Sequence, residues 1–154
     1  MRRSEKECTD QTLMEQFLNE AQILHLAISV QTDAPYIVPL NFVYDGAFYV
    51  HSAVEGKKVT LLKRNPVVGF SVSEQLRILV SETNPCATGT SYRSVVGKAK
   101  VLFLEDAEEK SRILNMLMSK YTNSPPFKYK EKALSKLLII KLKAYEMTYK
   151  IDLR

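Results

Sequence analysis

The chain has 154 residues, the length of one domain, and its 45% hydrophobic content is enough for a single sizeable core, which argues against a two-domain enzyme. Aliphatic and aromatic residues run through the whole length, and that excludes a disordered, collagen-like or low-complexity chain. Charged residues are 25%, near average, but 22 Lys and Arg against 17 Asp and Glu give +5, a balance that points to an anionic partner.

In chain order, Met1-Arg2-Arg3 leads into Ser4-Glu5-Lys6-Glu7, not into the apolar stretch of a signal peptide. Thr12-Leu13-Met14-Glu15 has capping-box spacing, and Leu13, Met14, Phe17, Leu18 and Ala21 recur at helical intervals, predicting an amphipathic helix over about 12–21. From Leu24 the period becomes two, with Leu24, Leu26, Ile28 and Val30 on one face of a half-buried strand. After Thr32-Asp33-Ala34-Pro35 a second strand runs Tyr36–Tyr44, and Asp45-Gly46 signals a hairpin into a third, Ala47–Ser52. Gly56-Lys57-Lys58 opens a short helical stretch that Asn65-Pro66 ends. Val67–Ser73 and Leu76–Ser81 read as two strands, Ser81–Gly89 as a loop, and Ser91–Leu104 as a long strand. Asp106 caps a helix carrying Ile113, Leu114, Leu117 and Tyr121; Asn123–Phe127 is a loop, Lys128–Lys136 a basic helical turn or two, and Leu137–Leu153 is strand-like again. Six or seven strands with two convincing helices indicate an α+β, mainly β fold, with the antiparallel sheet closed into a small barrel as a single domain over 1–154. A Rossmann fold is disfavoured, because there is no GxGxxG and no regular crossover helix.

The positive charge is regional: residues 1–50 sum to −4, residues 51–100 to +5 and residues 101–154 to +4. No apolar run is long enough to span a bilayer, so the expectation is a soluble, cytoplasmic protein. Cys8 and Cys86 lie far apart, beside no second Cys or His, and read as free thiols; no metal site is expected.

Three stretches could carry chemistry. In His51-Ser52-Ala53-Val54-Glu55-Gly56-Lys57-Lys58 a strand ends in an imidazole and a hydroxyl, and two lysines follow where a helix start leaves backbone N–H groups unpaired. That combination can hold a phosphate; the alternative is a solvated basic turn with His51 hydrogen-bonded at a strand end. In Val38-Pro39-Leu40-Asn41 the proline removes a ladder donor, marking a sheet edge or irregularity beside which a planar ring with polar edges could lie, with Asn41 offering an amide; an ordinary bulged edge strand explains it equally. In Tyr92-Arg93-Ser94, Arg93 could pair with a phosphate or with a carboxylate of a partner chain.

Taken in order, Ala34-Pro35-Tyr36-Ile37-Val38-Pro39-Leu40-Asn41-Phe42, Phe48-Tyr49-Val50-His51-Ser52-Ala53 with Gly56-Lys57-Lys58, Arg64-Asn65-Pro66, Tyr92-Arg93-Ser94-Val95-Val96-Gly97-Lys98-Ala99 and Glu109-Lys110 resemble the pyridoxamine 5′-phosphate oxidase-like flavoproteins. Within them the likeness is greatest to the 5-nitroimidazole-resistance, or Nim-type, branch. It runs from about residue 21 to 121. The resemblance implies a six-stranded antiparallel split β-barrel of the Greek-key, FMN-binding type, forming a homodimer with two FMN sites between subunits, FAD being the alternative cofactor. It implies that Val38, Pro39, Leu40 and Asn41 lie along the flavin ring, that His51, Ser52, Lys57 and Lys58 grip the phosphate, and that Tyr92, Arg93 and Ser94 lie near the cofactor or the interface. Where relatives carry an early Arg or Lys and a late Gly-Lys pair, this chain has His25 and Tyr149-Lys150.

The leading expectation is therefore a flavin-dependent oxidoreductase, a nitroreductase acting on a small flat acceptor, with His51 the best candidate for a catalytic proton donor. The alternative is a flavin-binding module without turnover, a sensor or carrier, or a binder of a related flat cofactor such as deazaflavin or haem. Nucleic-acid binding through Lys128, Lys130, Lys132, Lys136, Lys141 and Lys143 rests on charge alone, without a recognition motif, and the run reads as a solvated face.

Overall fold

A computed structural model describes residues 4–153. Helix α1 (Gln11–Glu20) starts at Asp10, whose carboxylate accepts the Leu13 N–H at 3.0 Å. The cap is thus Asp10 and not Thr12, because a carboxylate two positions earlier meets the open donors of a helix that begins at Gln11. Then come β1 (Leu24–Ile28), β2 (Tyr36–Leu40), β3 (Val43–Tyr44), β4 (Phe48–Ala53), α2 (Lys57–Arg64), β5 (Val67–Leu79), β6 (Gly89–Leu104), α3 (Ala107–Thr122), α4 (Glu131–Leu134) and β7 (Leu137–Asp152).

The strands form one antiparallel sheet in the order β2-β1-β5-β6-β7-β4-β3. This corrects the six-stranded closed barrel: the sheet has seven strands and is open, with no ladder joining β2 to β3 among the described residues. Its two outermost strands are nevertheless consecutive in the chain. Only Asn41 and Phe42 separate them, so the edges lie at most about 11 Å apart and the sheet must wrap around its core.

Two local effects account for the strand count. The run Tyr36–Tyr44 breaks because the backbone of Phe42 is bonded elsewhere: its N–H reaches the Tyr121 hydroxyl at 2.9 Å. Conversely, Val67–Ser73 and Leu76–Ser81 merge, since the register slips between Gln75 and Arg77 without ending the β5–β6 ladder.

Leu24, Leu26 and Ile28 of β1, Val68, Phe70 and Val72 of β5, and Val95, Ala99 and Val101 of β6 point inward. Phe17 and Leu18 of α1 and Leu62 of α2 pack into the same core. Helix α3 covers a different region, where Ile113 and Leu117 meet Val43, Ala47, Tyr49 and Ile139. Asp106 caps it, accepting the Glu109 N–H at 2.7 Å. Gly97 faces inward, and a Cβ there would lie 2.3 Å from the Glu146 carbonyl oxygen and 2.6 Å from the Phe70 ring. The basic run yields only the short α4 and an exposed loop before it.

Candidate functional site

Strand β4 delivers the chain to α2, and its alternation leaves His51 exposed while Ser52 is buried. The two side chains therefore point to opposite sides of the strand. Gly56 then adopts φ 120° and ψ 168°, a conformation open to glycine, and starts α2 with no side chain capping it. The first helical bond runs from the Thr60 N–H to the Gly56 carbonyl at 3.0 Å, so by helix geometry the preceding N–H groups, those of Lys57, Lys58 and Val59, point out of the helix end. No acidic side chain stands in this first turn. Val59 and Leu62 are buried and fix the helix.

The Lys57 ammonium lies 4.8 Å from the centre of the Tyr36 ring, which ties the α2 N-terminus to the start of β2. Lys58 is half-buried, and desolvation pushes its pKa below the usual lysine range. A cation already disfavoured by burial, at a helix end whose dipole is positive, gains from a bound anion.

Strand β2 is an edge strand, as Pro39 predicts. Val38 and Leu40 pack partly against the core, Ile37 and Pro39 are exposed on the other side, and Asn41 is exposed just past the strand. The register continues Pro39 into a row across the sheet: His25, Ser71, Val96 and Thr148. A second row runs Ile37, Ala27, Gly69, Lys98 and Glu146. These rows form an outward face on which small and apolar side chains sit beside His25 and the charged Lys98 and Glu146. A depression of about 390 Å³ opens on it, bordered by Ser94, Val96, Lys98, Glu146 and Thr148. Lys98 and Glu146 pair there at 2.8 Å.

Of the third stretch, Ser94 borders that depression, three strands from Pro39 and so about 14 Å away. Tyr92 stacks under the Lys6 ammonium, which also pairs with Asp152. Arg93 is held by its own chain: its guanidinium bonds Glu20 at 2.8 Å and Glu74 at 2.5 Å and lies 4.9 Å from the Phe17 ring centre. The expected partners of Arg93, a phosphate or a carboxylate of another chain, are replaced by carboxylates 73 and 19 positions away in sequence.

The structure thus brings Lys57 to the start of β2, with Lys58 beside it in the first turn of α2, and places Ser94 on the same outward face as Pro39, while Arg93 is engaged elsewhere. Sequence reasoning did not single out Ser71, which flanks His25 in the row. The alternation of β5, with Val68, Phe70 and Val72 inward, is the signal that could have found it. The sequence places Tyr121 on the helix headed by Asp106 without giving its hydroxyl a role; that hydroxyl accepts from the Phe42 N–H and donates to the Gln22 carbonyl at 2.7 Å, and burial raises its pKa despite the Phe42 bond.

Among the described residues no helix is long and apolar enough to cross a membrane, and no three His, Cys, Asp or Glu side chains gather as a metal site. Cys8 and Cys86 are unbonded thiols.

No curated protein matches the sequence. Among solved structures, a candidate 5-nitroimidazole antibiotic resistance protein from Bacteroides thetaiotaomicron is 29% identical, with a TM-score of 0.82 over 94% of this chain and 86% of that one. The flavocytochrome Anf3 of Azotobacter vinelandii shares the fold at 16% identity and a TM-score of 0.84, covering all of this chain and 72% of the other. The FAD- and haem-binding protein of Mycobacterium smegmatis does so at 17% identity and a TM-score of 0.82, over 96% and 73%. The Nim-type likeness fits the first of these neighbours. The sequence profile of the pyridoxamine 5′-phosphate oxidase family matches residues 10–151, nearly the whole wrapped sheet and its helices, and the chain belongs to that family.

Proposed function

We propose that the protein is a flavin-dependent oxidoreductase that binds FMN and reduces a small flat acceptor of the nitroimidazole type. The observation that carries this reading is the uncapped N-terminus of α2 at Gly56, with Lys57 and Lys58 in its first turn and Lys57 set against Tyr36 of β2. Open N–H donors, two ammonium groups and a glycine around whose Cβ position nothing lies within 4 Å fit a phosphate monoester. The adjoining β2 edge offers the ring a flat surface, with the Asn41 amide for its polar rim. When bound, the flavin passes electron pairs from a reduced nicotinamide donor to the acceptor.

In this reading the chain's own residues bind and orient. Lys57, Lys58 and the α2 backbone hold the phosphate, with the Ser52 hydroxyl beneath; Val38, Pro39, Leu40 and Asn41 set the plane of the ring. His51, exposed on the opposite side of β4 from Ser52, is the group able to hand a proton to the acceptor. Tyr92 and Ser94, with Arg93 fixed behind them, belong to the wall that a second subunit presents, so that a homodimer carries two sites. The resemblance to the candidate nitroimidazole resistance protein supports the acceptor class, and the flavocytochrome and the FAD- and haem-binding protein support a flavin on this fold.

A cofactor carrier without turnover is the second reading. One observation favours it: among the described residues the buried polar side chains are Ser52, Ser91 and Asp152, so no buried imidazole–carboxylate pair is organised for proton transfer.

The test is an absorption spectrum of the purified protein with mass spectrometry of the released cofactor, then anaerobic reduction by NADH or NADPH and addition of a nitroimidazole. Bound FMN absorbing near ~450 nm, bleached by the donor and restored by the acceptor with amine formed, is the expected result. A colourless protein that takes up no added FMN overturns the flavin reading. Bleaching without reoxidation by the acceptor selects the carrier.

A further inference from the structure

A cavity of about 370 Å³ opens between α1, β3 and the last turn of α3, bordered by Asn19, Val43, Tyr44, Met116, Ser119 and Lys120. None of the residues proposed to hold the flavin lines it, and Lys120 is the only charged group on its wall among the described residues. The Lys120 amine is half-buried, donates to the Leu18 carbonyl at 3.0 Å and lies 3.9 Å from the centre of the Phe42 ring. The Leu18 carbonyl is one of the last four of α1, which have no partner inside the helix.

Nothing anionic answers this cation. Among the described residues Lys120 forms no ion pair, and one protein acceptor serves its three N–H groups. From α1 the cavity receives the Asn19 amide, while Glu20 is bonded to Arg93. From β3 comes the Tyr44 phenol, whose pKa burial and Glu15 both raise. From α3 come Ser119 and the Tyr121 ring, 5.6 Å from the amine, whose hydroxyl is already committed to Phe42 and Gln22. Desolvation with no carboxylate to offset it brings the Lys120 pKa down to about 8. At about pH 7.5 roughly a quarter of this amine is neutral, against about one part in a thousand of an exposed lysine. A desolvated neutral lysine is a nucleophile toward carbonyl carbon.

The surroundings select the product. Lys120 stands at the C-terminal ends of both α1 and α3, where the helix dipoles favour positive charge, so an adduct that turned the amine into an anion would be repelled. An iminium keeps the charge, keeps an N–H for the Leu18 carbonyl and keeps the contact with the Phe42 ring. Val43, Met116 and the Tyr44 ring give the cavity an apolar wall, and no second cation lines it to hold a phosphate or carboxylate.

We propose that Lys120 is a carbonyl-capture site, where a small uncharged aldehyde enters the cavity between α1, β3 and α3 and condenses with the amine to a protonated imine. The nitrogen lone pair forms a bond to the carbonyl carbon, giving a carbinolamine. The C–O bond of that adduct then breaks, its oxygen leaving as water while the nitrogen lone pair closes the C=N bond. Counted from the ammonium form, one aldehyde enters and one water leaves, with no net proton and no change of oxidation state. Asn19 and Ser119 offer hydrogen-bond donors to the carbonyl oxygen from the rim.

The test uses the full chain with benzaldehyde as the probe and sodium cyanoborohydride to reduce any imine to a stable benzylamine, which peptide mass spectrometry locates. At about pH 7.5 the initial rate at Lys120 is expected to exceed those at the exposed Lys63 and Lys128 by at least about 10-fold, although Lys120 is the less accessible. That rate should saturate with benzaldehyde concentration and level off above about pH 8. Labelling of Lys120 no faster than that of Lys63 and Lys128 overturns the capture site. A Lys120 rate that stays proportional to benzaldehyde up to its solubility limit overturns the cavity as the place where the aldehyde binds.

Discussion

The Tyr121 hydroxyl accepts the Phe42 N–H at 2.9 Å and donates to the Gln22 carbonyl at 2.7 Å, so one phenol from α3 ends β2, starts β3 and anchors the entry to β1. The Y121F variant leaves the buried Phe42 with an unsatisfied N–H. Its urea midpoint should fall by the equivalent of about 1–3 kcal/mol with the slope unchanged. A midpoint equal to wild type would mean that water replaces the phenol.

Gly97 and Gly56 are required for opposite reasons. G97A places a methyl group against the Glu146 carbonyl and the Phe70 ring, neither of which can yield without moving the sheet, and should cost about 1–3 kcal/mol. G56A has open space around it but must hold φ 120°, a strain of about 1–3 kcal/mol. Chemical denaturation gives both losses; only G56A should also weaken FMN binding, because only it disturbs the α2 end.

K57A/K58A removes both cations from the first turn of α2. The fold should be retained, since Lys57 is exposed and Lys58 half-buried without a charged partner required for packing. FMN affinity should fall about 10- to 100-fold, the value of one or two charge-assisted contacts. A fluorescence titration that returns the wild-type affinity removes the phosphate from this helix end.

Lys120 is half-buried between α1 and α3, its ammonium donating to the Leu18 carbonyl at 3.0 Å and lying 3.9 Å from the Phe42 ring centre. Desolvation nevertheless lowers its pKa to about 8. The folded chain thus releases this proton more readily than the unfolded one, whose lysine titrates near 10.5. Between those values the unfolded state binds more protons, so stability rises with pH across the window from about 8 to 10.5. Because the group is partly solvated, the gain should be about 1 kcal/mol, well below the full linkage value. K120M should lack this rise in urea titrations at successive pH values; a parallel pH profile in the two proteins would assign the titration elsewhere.

Features set by neighbouring residues were legible in the sequence. Asp106 heads its helix as read, Gly46 takes the left-handed φ 67° that a hairpin needs, and Pro39 lies on an edge strand. The break at Phe42 was not legible, because its cause lies 79 positions away in Tyr121. The polar Glu74-Gln75 pair reads as an interruption between strands, yet its effect is one unpaired residue within a continuous strand. At the candidate site, Gly56-Lys57-Lys58 could be read as a helix start because glycine and the following helix formers act locally. The fate of Arg93 could not, since Glu20 and Glu74 reach it only after α1, β5 and β6 have come together.

A sheet whose first and last strands are neighbours in the chain is also guarded against its own kind. One rim, β2, carries a proline without an N–H to offer; the other, β3, is two residues long, with its continuation turned away at Phe42. Neither rim is a row of open backbone groups on which another chain could add strand after strand.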